Sequence, residues 1–405
     1  MKITKVKATP IIVPYNPIKT ESKMSTGLKV TDAIIVEVHT DEGIIGFGET
    51  PPVLGCDLSA SIVQSTEDVL IGEDPTNINK ILKQLYVRYN GSHFHIHTIS
   101  WAFSGIDMAL WDIAGKRAGM PLYQLWGGAY RKRIEFIGSV ERQTDLDEMS
   151  KEAAQCAAEG FKTIYTKIGM DPDEDIAAVA ALRRGAPSNK IKIRIDANQA
   201  WSTGQAILQI NKMEPYGLEF VEQPVIMYNL DALRTVRDRV SVPISAHEAS
   251  WTIYDLMNLI KADCVDYARI DARFDAGYGA ALTAAGMCEA AGIQLTHHAF
   301  NSELSLAMGA KLHLMASCPN FTMASGIQPN YVRLKDDVIK GGPLKMEGPY
   351  IKVPEGPGIG MELDYDKLQF YNEYYIKEMR DKKLDRKIRN QNYAAMHYRP
   401  YLNNI

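Results

Sequence analysis

Short apolar runs alternate with amphipathic, helix-like stretches through the middle of the chain. Eight strand-like runs lie between about residues 133 and 326, the first at 133–140 and the last at 320–326. Helical patterns separate them, for example at 147–158, 173–184, 204–213 and 277–290. A strand, a crossover helix and two loops form the repeating unit of a parallel β/α structure, and eight such units close a barrel. The pattern therefore predicts an α/β protein with a (β/α) barrel, whose active face is formed by the C-terminal ends of the strands.

The first 125 residues follow a different pattern. Two segments, 2–14 and 32–49, alternate like strands, and the second folds into a hairpin at residues 40–43. Helical patterns follow at about 59–70, 76–89 and 99–118. This mixture predicts an α+β domain beside the barrel.

After the barrel, residues 349–360 are rich in prolines and glycines and are expected to return to the N-terminal unit. We predict three units, namely a capping domain, the barrel, and a C-terminal return with a basic tail, at residues 1–125, 126–345 and 346–405. The tail is expected to be a surface or subunit-contact extension of a homo-oligomer. Two polar cap loops, 16–31 and 50–58, are expected to set substrate specificity and to close over the barrel.

Three carboxylates, Asp196, Glu222 and Glu248, each end a strand-like run, and successive members are 26 residues apart. This spacing predicts that they stand at the same height at the C-terminal ends of neighbouring strands. Such a cluster repels itself unless a cation neutralises it, and an all-oxygen acidic set suits Mg²⁺. The alternative is three unrelated acids on a solvated rim.

The same spacing brings further polar side chains to strand ends. Lys167 ends the run before Asp196, Asp271 ends the run after Glu248, and His298 ends the next. A lysine near a bound cation is a candidate general base, although an ordinary rim lysine is the alternative. Asp271 can orient His298 through one ring nitrogen and leave the other for proton transfer. Because strand alternation sends adjacent side chains to opposite faces, His297 is the other candidate for the inward histidine.

Composition excludes some function classes. The formal net charge of −4 gives no basic surface for nucleic acid or an anionic membrane, and no apolar stretch approaches a membrane span. The five cysteines form no Cys-x-x-Cys pair and are expected to be reduced thiols. The N-terminus lacks the apolar core of a signal peptide. We therefore expect a cytoplasmic protein that binds neither nucleic acid nor membrane.

The strand-end motifs resemble the metal-ligand series of the enolase superfamily. They are Asp196-Ala-Asn-Gln-Ala-Trp, Val221-Glu-Gln-Pro and Ser245-Ala-His-Glu, and the helix 104–116 with Leu125-Trp-Gly-Gly is similar to the segment that leads into that family's barrel. The resemblance, over about residues 2–370, implies an α+β cap over a modified barrel. It also implies Mg²⁺ and abstraction of a proton α to the carboxylate of a small-molecule substrate, giving an enediolate, with a Lys or His base. An Asp on strand six and a His on strand seven are similar to the mandelate racemase subgroup, which includes acid-sugar dehydratases.

Three positions depart from the family pattern. The usual Lys-x-Lys of strand two is Tyr165-Thr-Lys167 here, and the racemase-like glutamate of strand eight is replaced near Met323. His247 stands beside the third ligand, where it contacts substrate or is structural. Asn198 is expected to face the mouth of the barrel and bind substrate, with a capping role as the alternative. We therefore expect Tyr165, Asn198 and His247 in the substrate site.

Three functions are compatible with these residues. The leading one is a Mg²⁺-dependent dehydratase, a carbon–oxygen lyase that converts a sugar acid into a 2-keto-3-deoxy acid. Either Lys167 or His298 removes the α-proton in that reaction. The second is a racemase, epimerase or cycloisomerase that uses Lys167 and His298 as opposed bases, and the third is a non-catalytic metabolite-binding relative. The sequence does not identify the substrate.

Overall fold

The computed structural model describes residues 1–16, 30–52, 55–90, 96–273, 277–300 and 302–382. The chain begins with an antiparallel sheet of three strands in the order β1-β2-β3. Their bounds are β1 Ile3–Pro14, β2 Val30–Thr40 and β3 Ile45–Thr50. Long runs of fully buried Ile and Val in β1 and β2 give this sheet an apolar face on which helices can pack.

Five helices follow in the N-terminal part. They are α1 Cys56–Gln64, α2 Glu67–Leu70, α3 Ile78–Asn90, α4 Ile96–Ala118 and α5 Leu122–Leu125. Helix α4 lies so close to β3 that a Cβ at Gly48 would stand 1.9 Å from the carbonyl oxygen of Gly105. A glycine is required on both sides of this contact, because any side chain would push the helix off the sheet.

The single helix predicted at 59–70 is two helices in the structure, α1 and α2.

Seven strands form a parallel sheet in the order β11-β10-β9-β8-β7-β6-β5. Their bounds are β5 Gly138–Ser139, β6 Thr163–Lys167, β7 Lys192–Asp196, β8 Leu218–Glu222, β9 Ile244–Ala246, β10 Tyr267–Ile270 and β11 Gln294–His297. The predicted first strand, 133–140, is divided: β4 Arg133–Glu135 pairs with a later strand, and only β5 joins the parallel sheet. The curled sheet is the predicted barrel wall.

The segment at 320–326 lies between the two edges of this sheet. Leu295 donates to Asn320 O at 2.9 Å and Gly326 donates to His297 O at 2.8 Å, on the β11 side. On the other side, Ile137 donates to Ser325 O at 3.0 Å. The predicted eighth strand is therefore an irregular hydrogen-bonded segment, whose single bridge joins Ser325 to Phe136.

Helices cover the outside of the sheet and follow the strands as predicted. They are α6 Leu146–Ala158, α7 Pro172–Gly185, α8 Thr203–Met213, α9 Leu230–Arg237, α10 Ile253–Ala262, α11 Tyr278–Ala290 and α12 Ser305–Ser317. From α6 to α10, each begins after a side chain that accepts hydrogen bonds from the first turn: Asp145, Asp171, Ser202, Asn229 and Thr252. Short 3₁₀ turns occupy Glu214–Tyr216 and Glu248–Ser250, and α13 spans Pro329–Val332.

The C-terminal segment contacts both the barrel and the N-terminal part of the chain. Strand β12, Tyr350–Lys352, pairs antiparallel with β4, and Leu122 donates to Gly358 O at 3.0 Å. Helix α14, Tyr365–Tyr375, continues into a π-helical turn, Ile376–Arg380, and its Asn372 donates to Pro10 O of β1 at 2.7 Å. The fold is thus the expected α/β barrel with a separate α+β cap. No helix within the described residues is long and apolar enough to cross a membrane.

Three buried carboxylates join the cap to its neighbours, and we call them the seam carboxylates: Glu49, Asp107 and Asp112. Glu49 of β3 accepts from the backbone of Leu304 at 2.8 Å and Ala307 at 3.0 Å, at the start of α12. Asp107 of α4 accepts from the backbone N–H of Tyr278, at the start of α11. The cap thereby supplies N-terminal acceptors to two barrel helices.

Asp112 of α4 joins the cap to the C-terminal return. It accepts from the backbone N–H groups of Phe47 at 2.9 Å and Ile359 at 2.8 Å. Lys116, one helical turn on, forms an ion pair with it at 2.6 Å. Three separate segments of the chain therefore meet at one carboxylate.

Candidate active site

The C-terminal ends of the barrel strands, which we call the mouth, carry the predicted polar residues. Lys167, Asp196 and Glu222 are register partners on the neighbouring strands β6, β7 and β8. Glu248 lies two residues beyond the end of β9, at the first position of a 3₁₀ turn. The structure therefore brings together all three predicted metal ligands and Lys167.

Asp196 is the most heavily bonded of the three carboxylates. Its Oδ2 accepts from Lys167 Nζ and from the Tyr165 hydroxyl, the latter at 2.8 Å, while Oδ1 accepts from the backbone N–H of Asn198 at 2.8 Å. Burial alone would raise the pKa of Asp196, but the charges of Lys167 and Arg269 and these hydrogen bonds lower it overall. The Tyr165 side chain is thus used to hold Asp196.

Glu222 and Glu248 are buried and less fully bonded. Glu222 Oε2 accepts from Arg269 Nη1, and Glu248 Oε1 accepts from Asn198 Nδ2 at 2.9 Å. Their second oxygens, Glu222 Oε1 and Glu248 Oε2, accept no hydrogen bond from the described residues. Burial raises the pKa of Glu222 to about 7, and burial followed by the charges of Asp196 and Glu222 raises the pKa of Glu248 to about 8.

Unusual backbone conformations shape the turns after β7 and β8. Asn198 has φ +42°, Gln199 has φ +67° and Gln223 has φ +38°. Asparagine tolerates this left-handed region better than most residues, whereas glutamine there carries a conformational cost. In this conformation Asn198 Oδ1 accepts from Lys167 Nζ at 2.6 Å while its Nδ2 donates to Glu248, so it links the two side chains.

Gln223 was not predicted as a site residue, although it stands in the motif Val221-Glu-Gln-Pro. Its buried Oε1 accepts from the backbone N–H groups of His247 and Ala249, each at 3.2 Å. These bonds hold the turn that carries Glu248. The signal that could have found it is its position beside Glu222 in the motif.

His298 and Asp271 form the predicted pair. His298 Nδ1 lies 3.1 Å from Asp271 Oδ2, and the imidazole is mostly buried. Burial lowers the pKa of His298 to about 3, against the raising effect of Asp271 and with the help of Arg269 and Lys167. His298 is therefore neutral at neutral pH.

The two adjacent histidines have different hydrogen-bond partners. His297 is fully buried, its Nδ1 lies 2.6 Å from His298 O, and its Nε2 accepts from the backbone N–H of Ala272 at 3.4 Å. Both of its ring nitrogens are thus occupied by the backbone. His298, and not His297, is the histidine that contacts Asp271.

His247 lies between the carboxylates and His298. Its ring stacks on that of His298 with centroids 3.9 Å apart, and it packs on Trp251 on the other side with centroids 5.9 Å apart. Its Nδ1 is 3.9 Å from Glu222 Oε1 and 4.0 Å from Glu248 Oε2. The structure therefore places this predicted substrate contact beside two of the three carboxylates and His298, and its contact with substrate stays a prediction.

Two arginines that the sequence reading missed lie beside these groups. Arg269 pairs with Glu222 and covers the ring of Tyr165 at 5.7 Å, while Arg273 pairs with Asp271 through Nη2 at 2.9 Å. The period of two along β10 would have indicated Arg269, because it shares a strand face with Asp271. Arg273 lies in the loop beyond the strand, where periodicity gives no signal.

The donor set fits a divalent cation, with one condition. As the described side chains stand, no three acidic, histidine or cysteine groups are arranged to hold an ion, because Lys167 and Arg269 occupy oxygens of Asp196 and Glu222. The two oxygens without hydrogen bonds nevertheless both lie near His247 Nδ1, so they face the same small region. Carboxylate oxygens of this kind suit Mg²⁺, and a bound ion would displace the two basic side chains.

Comparison with known proteins assigns both parts of the chain. Residues 4–127 match the family model described as "Mandelate racemase / muconate lactonizing enzyme, N-terminal domain". Residues 148–367 match the model described as "Enolase C-terminal domain-like".

Similar proteins catalyse different reactions. A hydrophobic dipeptide epimerase from Enterococcus faecalis is 32% identical over 346 residues, which cover 82% of this chain and 92% of the relative. An arabinonate dehydratase from Saccharolobus solfataricus is 28% identical over 337 residues, covering 81% and 87%. The crystal structure of the dipeptide epimerase from E. faecalis, complexed with Mg and the dipeptide L-Leu-L-Tyr, has a TM-score of 0.79 and 29% identity, covering 89% of this chain and all of that one. Together, the family models, these relatives and the fold show that the chain belongs to the mandelate racemase / muconate lactonizing enzyme family of the enolase superfamily.

Proposed function

We propose that the protein is a Mg²⁺-dependent dehydratase of a sugar acid, which forms a 2-keto-3-deoxy acid. The observation that carries the proposal is the convergence of Asp196, Glu222 and Glu248 with two basic groups, Lys167 and His298, in one mouth. Enolase-superfamily enzymes combine these elements, a metal-binding carboxylate set and a Lys or His base, to remove a proton α to a carboxylate.

The three carboxylates would hold the cation. When bound, Mg²⁺ would bind the substrate carboxylate and stabilise the negative charge that develops as the α-proton leaves. Gln223 and Asn198 would keep Glu248 in place, and the Tyr165 hydroxyl would orient Asp196. We assign Tyr165 to this supporting role, because its hydroxyl already donates to Asp196.

His298 is the better candidate for the base. It is neutral at neutral pH, and its Nδ1 is committed to Asp271, so Nε2 would take the proton from C2 of the substrate. Lys167 donates to both Asp196 and Asn198, so it lies beside the carboxylate set rather than beside Asp271.

His298 can also complete the dehydration. The imidazolium of His298, stabilised by Asp271, would deliver the abstracted proton to the hydroxyl leaving C3, so that water departs and the C2–C3 enol forms. Tautomerisation of that enol, with a proton added at C3, gives the keto acid. The segment from Met323 to Gln328 carries no acidic residue that could serve as the racemase-like donor on the last strand.

Epimerisation is the second candidate, and one observation favours it. Lys167 on β6 and His298 after β11 lie across the mouth from each other, separated by the 320–326 segment and β5. A lysine on one face and an imidazole on the other, acting as opposed bases, can move a proton across C2 without loss of water. The relative named as a hydrophobic dipeptide epimerase shows that the family supports this outcome.

One experiment separates the two reactions. The protein is incubated with Mg²⁺ and a panel of aldonic acids in D₂O, and ¹H NMR follows the C2 proton while a coupled assay detects 2-keto acids. We expect keto acid from wild type, and His298→Asn should reduce both C2 exchange and keto acid by about 10²- to 10⁴-fold. His39→Asn, at a histidine on the cap strand β2, is the matched control and should keep full activity. Exchange with inversion at C2 and no keto acid would overturn dehydration in favour of epimerisation.

A further inference from the structure

Arg273 lies directly behind the His298–Asp271 pair. Its side chain is fully buried, and it contacts Asp271 through two guanidinium nitrogens: Nε donates to Oδ1 at 3.1 Å and Nη2 to Oδ2 at 2.9 Å. Its own backbone N–H donates to Oδ1 at 3.0 Å. This is a bidentate pair of the kind that fixes the plane of a carboxylate.

A second set of contacts fixes Arg273 itself. Its Nη1 donates to the carbonyl oxygen of Ser302 at 2.8 Å, and Ser302 Oγ donates to Asp32 Oδ1 of the cap strand β2 at 2.6 Å. Glu303 lies 3.9 Å from Nη2. The guanidinium is thus held between the barrel loop after β10, the loop after β11 and the cap.

The carboxylate of Asp271 therefore contacts both Arg273 and His298. Oδ1 accepts from the backbone N–H and from Nε of Arg273, while Oδ2 accepts from Arg273 Nη2 and faces His298 Nδ1. A carboxylate that is neutralised by a guanidinium attracts a proton onto the neighbouring imidazole less strongly than a lone carboxylate would.

We propose that Arg273 is a positioning residue that orients Asp271 and compensates its charge, so that His298 remains a neutral base. The inference rests on the proposed function, in which His298 takes the α-proton. It differs from a purely structural role for Arg273, because it assigns the guanidinium control over the protonation of His298 through their shared partner Asp271.

Other charged or titratable groups also face His298, and the test must leave them unchanged. His297 is its neighbour in the chain, Arg269 and Asp271 come from β10 and its end, and His247 comes from the turn after β9. Lys167 comes from β6, and Lys311 comes from α12, with its Nζ 3.5 Å from His298 O. Only Arg273 among the cations on these elements contacts Asp271 in a bidentate manner within the described residues. Substitution of Arg273 therefore isolates its effect on the pair.

The test is an NMR titration of the His298 imidazole in the full-length protein, assigned by its loss in His298→Asn. In Arg273→Gln the charge is removed while a donor to Asp271 is retained, so the pKa of His298 should rise by about one to two units. Arg273→Lys, which keeps the charge, should shift it by less, and Asp271→Asn should shift it downward. The acid limb of kcat/KM against pH should move in the same directions.

Arg131→Met is the matched control. Arg131 also donates to buried backbone, namely the carbonyls of Met315, Cys318 and Pro319, but it makes no contact with the pair in the described residues. The variant should lose stability and leave the pKa of His298 unchanged. An equal shift in Arg131→Met, or no shift in a folded Arg273→Gln, overturns the inference.

Two further outcomes are decisive. If Arg273→Gln does not fold, Arg273→Lys replaces it: one ammonium cannot span both carboxylate oxygens, so kcat should fall at least about tenfold with little change in KM, and an unchanged kcat overturns the inference. If the pKa shift is found but wild type never exchanges a C2 proton, the proposed function fails while the control by Arg273 stands. If wild type exchanges the C2 proton but Arg273→Gln leaves the pKa of His298 unchanged, the inference about Arg273 fails and the proposed function stands.

Discussion

Buried carboxylates occupy two regions of this protein, the seam and the mouth, and their partners differ. At the seam, Glu49 and Asp107 accept hydrogen bonds from backbone N–H groups at helix starts. In the mouth, Asp196 and Glu222 are matched by the side-chain cations Lys167 and Arg269. A backbone donor is fixed by the helix that carries it, whereas a long basic side chain can move aside when another cation arrives.

The difference teaches how to separate a structural carboxylate from a functional one. Burial raises the pKa of Glu49 to about 8 and that of Asp107 to about 7, so a raised pKa is common to both regions. An oxygen without a hydrogen bond is also not sufficient, since Asp107 Oδ1 has none from the described residues. What distinguishes the mouth is convergence: unbonded oxygens of two carboxylates lie within about 4 Å of one atom, as measured from His247 Nδ1 at 3.9 and 4.0 Å.

The largest expected effect tests the mouth. Glu222→Gln removes one charge from the three-carboxylate set, so Mg²⁺ affinity measured by calorimetry should fall by more than about 100-fold, and α-proton exchange should fall with it. The seam variant Asp107→Asn is the control and should bind Mg²⁺ like wild type. Equal Mg²⁺ affinity in Glu222→Gln and wild type would contradict the metal assignment and remove the distinction drawn between the two regions.

The second effect tests the seam. Asp107→Ala leaves the buried N–H of Tyr278 without an acceptor at the start of α11, so the free energy of unfolding in urea should fall by about 2–4 kcal/mol. Asp107→Asn keeps an acceptor oxygen and should lose about half as much. Both variants should retain Mg²⁺ binding at temperatures below their melting points. A loss of metal affinity in the folded Asp107→Ala protein would show that the seam acts on the mouth and would break the comparison.

Much of this arrangement could be predicted from the sequence, for identifiable physical reasons. Strand ends were readable because apolar runs stop at charged residues such as Asp196 and Glu222, and the β/α period then fixed their common height. The barrel and the separate cap followed from pattern and resemblance, whereas the division into three units and the choice of His298 over His297 as the catalytic histidine stay predictions.

Other features could not be predicted, because they depend on contacts between distant segments. Whether 320–326 forms a regular strand is decided by its neighbours at both sheet edges, and the run 133–140 is divided because β12 pairs with its first half. The pairing of Arg269 with Glu222 joins residues 47 positions apart. The first predicted specificity loop falls largely on residues 17–29, outside the described residues. The second, 50–58, is described except for 53–54, and its last three residues form the start of α1. The role of both loops in specificity stays a prediction.

The smallest effect concerns pH, and it tests whether the seam carboxylates are charged. The pKa of Glu49 is raised from 4.5 to about 8, with burial as the largest cause, so between these values the folded protein binds a proton that the unfolded chain has lost. The contribution of Glu49 to stability is therefore fully present below pH 4.5 and is lost as the pH rises through 8. Glu49→Gln cannot ionise. The free energy of unfolding of wild type minus that of Glu49→Gln, from urea unfolding at pH 7 and pH 8.5, should decrease by on the order of 1 kcal/mol over this interval. Groups that titrate equally in both proteins cancel in this difference. A difference that is constant with pH would mean that Glu49 stays ionised at the seam, held by the N–H groups of Leu304 and Ala307 as firmly as Asp271 is held by Arg273.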